Sequence, residues 1–249
     1  MTILLPALLT AFIISAISLA GVLVIKVTPA RMKKLLFILV SFSAGAMLGT
    51  ALLHLLPEAA ALNPDSLLPY LLVIIGFTTF FILEKALRVH HCHDGECETK
   101  QHIGTLNLVG DGVHNFIDGL IIISAFAVNP GLGLVVSLSV AFHELPQELG
   151  DFGVLLYAGY TRAKALWFNF LSALLAVLGV LIGYIFINAI NGLSAWLLPV
   201  AAGGFLYIAA ADLIPEMHKD SHKGRTWWSL IIFIIALAFM WVLKAMGVE

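Results

Sequence analysis

The chain has 249 residues, 61% of them hydrophobic and only 11% charged, with a formal net charge of −2 and a mean hydropathy of +1.02. An ordinary soluble domain is about 25% charged, so this composition cannot supply a water-facing surface. It excludes a soluble globular fold, and the slight acidity gives no ground for nucleic acid as a partner.

In a bilayer only helices or closed barrels satisfy their own backbone. The apolar runs here are long and do not alternate in polarity, so an all-α membrane protein is expected. The first run, MTILLPALLTAFIISAISLAGVLVIK, has no basic residue before its apolar core and is too long for a cleaved signal peptide, so it reads as a span. At about 20 apolar residues per crossing, eight transmembrane helices follow, near 2–24, 34–56, 67–89, 105–128, 132–159, 163–190, 194–214 and 226–246. Together they make one transmembrane domain, 1–249. Asn63-Pro64, Asn129-Pro130-Gly131 and Asn191-Gly192 punctuate the gaps.

Lys and Arg set the orientation. The first link carries Lys26, Arg31, Lys33 and Lys34, and the third Lys85, Arg88 and Lys100. The fifth carries Arg162 and Lys164, and the seventh Lys219, Lys223 and Arg225, whereas the even-numbered links have neither residue. This bias predicts odd links in the cytosol and both termini outside. The two cysteines, Cys92 and Cys97, then lie in a reducing compartment, where a disulfide is not expected.

An internal repeat joins spans two and seven. Residues 44–58, AGAMLGTALLHLLPE, align without gaps to 202–216, AGGFLYIAAADLIPE. The charge pattern runs these two spans in opposite directions, as in the inverted repeats of secondary transporters.

Ionisable groups within spans cost at least about 2.5–3.5 kcal/mol each and read as functional. They concentrate in spans four and five. Span four holds VGDGVHNFIDGL, with Asp111, His114, Asn115 and Asp118 at offsets of three, four and seven, hence on one helical face. Span five holds AFHELPQELGDFGVLL, with His143, Glu144, Gln147, Glu148 and Asp151 within an arc of about 140°. Imidazole nitrogen with carboxylate oxygen suits zinc and its neighbours; calcium or magnesium sites use oxygen alone. His114/Asp118 and His143/Gln147 are i,i+4 pairs that each aim two donors at one point, and Asn115 and Glu144 form an adjacent second set. Asp111, Glu148 and Asp151 read as pathway or supporting groups. A proton relay, a sodium site or a hydrogen-bonded helix contact are the competing readings. Pro146 frees a carbonyl near Phe142 that is expected to line the ion path. Gly112, Gly119, Gly150 and Gly153 are expected to let helices or an ion approach closely.

Elsewhere, His54, Glu58, Asp212 and Glu216 close the repeated motifs and read as entry and release groups, or as interfacial caps. Trp227 and Trp228 read as interface anchors. The segment 90–104 is a cytosolic Cys/His-rich loop, with His90, His91, Cys92, His93, Cys97 and His102. Its spacing matches no structural zinc motif, so it reads as a metal-capture loop rather than a folded site.

HNFIDG at 114–119 and HELPQELGDFGVLL at 143–156 resemble the span-four and span-five signatures of the LIV-1 branch of the ZIP (Zrt/Irt-like protein) family. The span-two and span-seven motifs are similar to family segments as well. The resemblance implies transport of divalent metal towards the cytosol, zinc above all, with no resident cofactor and no enzyme activity. It implies a binuclear centre in which His114, Asp118, His143 and Gln147 hold one ion while Asn115 and Glu144 help hold a second. It also implies homodimers and an elevator-like movement of spans 1, 4, 5 and 6 against spans 2, 3, 7 and 8. Gln147 departs from the HExPHE pattern, and an amide oxygen is a poorer zinc ligand than imidazole. A weaker or broader site is expected, open to Fe2+, Mn2+ or Cd2+. Two further classes stand beside transport: a membrane-embedded metallohydrolase, which HELPQ would serve only as an incomplete HExxH, and a non-transporting sensor. Compact loops suggest a cell-membrane protein of a prokaryotic inner membrane.

Overall fold

The computed structural model describes residues 3–24, 28–89, 100–190, 192–218 and 223–247. The described residues are helical throughout, joined by short turns, and no strand occurs among them. The first span is broken: α1 (Leu4–Ser15) passes through a 3-10 turn (Ala16–Ala20) into α2 (Gly21–Val24). The second is α3 (Pro29–Gly49), a π-helical segment (Thr50–Leu55) and α4 (Leu56–Leu62). Then come α5 (Leu68–Val89), α6 (Lys100–Val128) and α7 (Pro130–Tyr157). The sixth span divides into α8 (Arg162–Ala173) and α9 (Leu175–Ala189). The seventh is α10 (Leu193–Ile208), a second π-helical segment (Ala209–Leu213) and α11 (Ile214–His218), and α12 (Lys223–Ala245) is the last.

Six of these stretches are long and apolar enough to cross a membrane. The other two expected spans differ for identifiable reasons. The apolar stretch Leu4–Ala20 is short. Helix α7 has 28 residues, which is ample length, but carries His143, Glu144, Glu148 and Asp151. Helix α6 starts at Lys100, so residues 100–104, expected in the third link, belong to its first turns. Large apolar side chains such as Leu71, Ile74, Ile82, Trp167, Ile185 and Trp241 face outward. In water such a surface would aggregate; in lipid it is the natural exterior. Trp227 and Trp228 are exposed near the start of α12, as suits interface anchors.

Local chemistry starts the site-bearing helix where the sequence requires. Asn129 caps α7, its side chain accepting from the Leu132 N–H at 2.7 Å, and Pro130 occupies the first turn, where no backbone donor is needed. The largest buried side chains, among them Phe126, Phe205 and Ile122, pack where α6, α7 and α10 meet.

Two helix crossings are so close that only glycine fits. A Cβ at Gly119 would strike the Ala176 carbonyl oxygen, and one at Gly179 would strike that of Phe116, so α6 and α9 touch backbone to backbone. Gly76 and Gly203 do the same for α5 and α10, against the carbonyl oxygens of Val200 and Val73. Small residues at such crossings replace the hydrophobic driving force that lipid does not supply. Gly112 is likewise close-packed, against Leu175. Gly150 and Gly153 are not: a Cβ there meets nothing within 4 Å, so no helix approaches closely at these two positions.

The repeat extends to backbone detail. The π segments fall at equivalent positions, and equivalent bonds close them: Leu56 N–H donates to the Ala51 carbonyl and Ile214 N–H to that of Ala209. Each precedes a Pro-Glu pair, Pro57-Glu58 and Pro215-Glu216. A proline cannot donate to the carbonyl four residues back, and a widened turn lets the ladder skip it.

Gly179→Leu should therefore lower the melting temperature of the detergent-solubilised protein by several degrees or prevent recovery of folded protein, because the obstacle is main chain and overpacking costs about 1–3 kcal/mol or more. Gly153→Ala should leave melting unchanged within about a degree.

Candidate metal centre

Helices α6 and α7 pack along their polar faces and bring four donor atoms together. His114 Nε2 lies 3.1 Å from His143 Nε2. Asp118 Oδ2 is 3.6 Å from the first and 3.0 Å from the second. Glu144 Oε1 is 3.4 Å from both. All four atoms lie within 4.8 Å of one another. A tetrahedral zinc site with bonds near 2.0–2.1 Å has ligand–ligand edges of ~3.3 Å, so these separations match a site of that size.

The hydrogen bonds leave the site electron-rich. His143 Nδ1 lies 3.2 Å from the Ser139 carbonyl oxygen and Nε2 3.0 Å from Asp118 Oδ2, two groups that accept; with a single ring proton on Nδ1, the tautomer that suits metal binding, the Nε2 lone pair faces the cluster. This is how metal-bound histidines are oriented. Glu144 Oε1 makes no hydrogen bond of good geometry. With the imidazoles neutral and both carboxylates ionised, acceptor faces acceptor, and a cation at the centre, metal or proton, relieves the repulsion. Asp118, His143 and Glu144 are each 1% exposed, whereas His114 keeps 17% of its side chain open.

The opening is a cavity of about 790 Å³ lined by His114, His143, Asp111, Gln147, Asp151 and Asn107 on one side and by Glu84, Tyr207, Asp212 and Glu216 on the other. Glu84 is near the end of α5, Asn107 near the start of α6, Asp151 near the end of α7, and Asp212 and Glu216 beyond the end of α10. All five adjoin odd-numbered links, so the cavity runs from the centre towards the side that carries the Lys and Arg. Tyr207 OH donates to Glu84 on the wall, with its ring against Phe77 at 5.2 Å between centroids.

The remaining expected residues fall into three groups. Asp111, Asn115 and Gln147 form a second polar cluster: Asp111 Oδ1 accepts from Asn115 Nδ2 at 3.0 Å and from Gln147 Nε2 at 3.4 Å. Gln147 thus directs its amide to Asp111, and Glu144 stands with the two histidines. Glu148 is buried and accepts from Asn169 Nδ2 at 2.5 Å, while Asp151 accepts from Asn107 Nδ2 at 3.0 Å. The repeat-end residues divide: Asp212 and Glu216 line the cavity, whereas His54 is fully buried with Nε2 3.0 Å from the Met240 carbonyl oxygen, and Glu58 lies half-buried on α4. The third group is the capture loop. His90, His91, Cys92, His93 and Cys97 fall outside the described residues, and so does the side chain of His102 in the first turn of α6.

The carbonyl freed by Pro146 does not line the cavity. Phe142 O instead accepts from Ser43 Oγ of α3, which satisfies it and ties the site helix to its neighbour. Sequence reasoning passed over Asn107 and Asn169, the amides that hold Asp151 and Glu148. Their signal was available: an amide at membrane depth in an otherwise apolar run, as in LWFNFLSALL, is costly without a partner.

Helices and cluster together define a multi-pass membrane protein with a buried site of metal-binding type. The ZIP zinc transporter family model matches residues 2–102 and 88–244, and the chain belongs to that family. It is 33% identical to zinc transporter ZIP13 of Pongo abelii over 219 residues, 81% of this chain and 65% of that protein. It is 45% identical to zinc transporter ZIP10 of Homo sapiens over 134 residues, 52% of this chain and 16% of that one. It is 29% identical to zinc transporter YKE4 of Saccharomyces cerevisiae over 235 residues, 80% of this chain and 68% of the other. The chain therefore spans under two thirds of ZIP13 and a small part of ZIP10. The match gives the hydrolase and sensor readings no support.

Loss of one imidazole from a four-donor site should be severe. His143→Ala should weaken zinc binding by at least about a hundredfold in calorimetric titration of the purified protein, since even supporting groups of metal ligands are worth about 10–100-fold. Gln147→His should raise zinc affinity, and an unchanged titration would count against a ligand role for position 147.

Proposed function

We propose that this protein carries a divalent transition metal, zinc foremost, across the membrane towards the cytosol, with His114, Asp118, His143 and Glu144 as its principal centre. The observation that carries the reading is the set of facing acceptor atoms at zinc-site spacing, in a chain of a zinc transporter family. The carboxylates offset the cost of stripping water from the cation. The cavity, directed towards the basic side, supports release on that face, with both termini on the other. The repeated π segments and Pro-Glu pairs support an inverted-repeat transporter in which the bundle bearing α6 and α7 moves relative to its neighbours.

Asn115 and Gln147 join the proposed ligands, with Asn115 and Glu144 placed for a second ion. With oxygen where related motifs have imidazole, position 147 broadens selectivity towards Fe2+, Mn2+ and Cd2+. The Cys/His-rich segment captures the released ion in the cytosol. A homodimer and residence in the cell membrane complete the proposal; the relatives named above are eukaryotic, so a prokaryotic inner membrane rests on loop composition alone.

Proteoliposomes loaded with a fluorescent zinc chelator test it. The intact protein should give saturable uptake, lost in the Asp118→Ala/His143→Ala double variant. Absence of uptake from folded, zinc-binding protein would overturn transport. Protons compete with metal for imidazole, so apparent zinc affinity should fall as the pH is lowered. A binding curve flat between pH 5 and 8 would contradict imidazole ligation.

A further inference from the structure

A hydrogen bond at the edge of the cavity joins two helices that belong to different packed groups. Helix α7 shares the metal centre with α6, and α6 is locked to α9 through Gly119 and Gly179. Helix α3 is locked instead to α12: a Cβ at Gly45 would strike the Phe233 carbonyl oxygen, and one at Gly49 the Met240 side chain. Between the groups, Phe42 of α3, Phe142 of α7 and Phe239 of α12 meet with ring centroids 4.7, 6.2 and 6.4 Å apart. Apolar burial is non-directional, so these rings do not fix how far α7 has slid along α3.

Ser43 does fix it. Its wholly buried hydroxyl donates to Phe142 O, the carbonyl next to His143 of the metal centre. Pro146, four residues on, has no N–H, so the helix ladder leaves that carbonyl without its usual donor. A hydrogen bond weakens steeply once its atoms are displaced or misaligned, so this one holds a single register. Val40, three residues before Ser43, and Pro146 both line the cavity, so the bond lies where its wall closes. The donor also has a second acceptor, for Ser43 Oγ lies 2.8 Å from the Leu39 carbonyl oxygen of its own helix. A hydroxyl has one proton to give. Leu39 O already receives the helical N–H of Ser43 and does not depend on the hydroxyl, whereas Phe142 O does. When α7 moves, the hydroxyl stays paired on Leu39 O and only the Phe142 carbonyl loses its partner.

We propose that Ser43 is a positioning residue for transport: its hydroxyl is a reversible latch that holds the metal-bearing helix α7 against α3 in the arrangement whose cavity opens towards the basic side. It acts through Phe142 O and touches no ion. A bond favours one arrangement only by what it contributes there and not in the alternative. For one neutral hydrogen bond that is a shift of about three- to tenfold in the ratio of the two. Pro146 is the other half of the latch. A backbone N–H at that position would satisfy Phe142 O from within α7 and leave Ser43 nothing to hold. The latch rests on the transport reading above, in which the bundle bearing α6 and α7 moves against its neighbours, but the ratio of arrangements is measured without any transport.

The test is a distance distribution. Nitroxides are placed at Val109→Cys on α6 and Ile82→Cys on α5, both outward-facing positions, in a full-length Cys92→Ser/Cys97→Ser chain in lipid nanodiscs. Pulsed electron paramagnetic resonance then gives the ratio of the two arrangements. Ser43→Ala and Pro146→Ala should each lower the share of the inward-open arrangement, by about three- to tenfold in that ratio. The combined variant should go no further, because either change alone already removes the need for the bond. Ser43→Thr, which keeps the hydroxyl, should retain the ratio of the unsubstituted latch. The proposal is overturned if either single variant leaves the ratio unchanged. It is equally overturned if the two effects add, the result expected of a serine that acts by packing alone. Should Ser43→Ala not fold, Pro146→Ala decides, since it leaves the serine in place. Zinc uptake by the chain with its own cysteines reports the transport reading separately. Saturable uptake with an unmoved distribution in Pro146→Ala sinks the latch alone, whereas a shifted distribution without uptake by the folded intact chain sinks the transport reading and leaves the latch.

Discussion

Four electron-rich side-chain atoms face one another in the interior of a membrane protein, and the rest of the structure exists under that constraint. His114, Asp118, His143 and Glu144 present their donor atoms at 3.0–3.6 Å where those separations are resolved individually. Nothing in an apolar bilayer would hold such a set together without a cation. The backbone oxygen of Ser139 lies against His143 Nδ1, so a ring proton placed there leaves Nε2 facing the cluster as an acceptor.

The surrounding helices meet this constraint by contact rather than by bulk. Glycine crossings bring α6 against α9 and α5 against α10, backbone to backbone, so that two rigid helix pairs flank the cavity. Polar bonds tie α7 to its neighbours: Ser43 of α3 to the carbonyl that Pro146 frees, Asn169 of α8 to Glu148 twice, and Asn107 of α6 to Asp151. Each bond satisfies a group that would otherwise be orphaned in the membrane, and each links α7 to a different neighbour. The widened turns at Thr50–Leu55 and Ala209–Leu213 place the two Pro-Glu pairs in equivalent surroundings. Yet only the second pair reaches the cavity, as fits a structure open on one side.

Much of this was legible beforehand. Hydropathy pointed to a bundle of membrane helices, because a bilayer demands about 20 apolar residues per crossing, and six of the helical stretches meet that length and composition. The polar exceptions then named the site: offsets of three, four and seven put Asp111, His114, Asn115 and Asp118 on one face, and they are on one face. Three things were not legible. Gly150 and Gly153 look like Gly112 and Gly119 in the sequence, but only the latter pair has a helix against it. Phe142 O was recognisably free, yet its partner Ser43 lies 99 residues away. Helical spacing paired Gln147 with His143 and set Glu144 aside, yet Glu144 Oε1 stands 3.4 Å from both imidazoles while Gln147 reaches Asp111, because the neighbours on α6 decide which side chain each meets.

The sequence by itself determined that this is a helical membrane protein, that its basic residues favour alternate links, and that its buried ionisable groups gather on two polar faces. These follow from composition, periodicity and local charge, which act along the chain. Only the tertiary structure decided which donors share a centre, which hydroxyl meets the carbonyl that Pro146 frees, and where the cavity leads. Those outcomes depend on distances between residues far apart in sequence, fixed by how closely neighbouring helices pack, and no local rule carries that information.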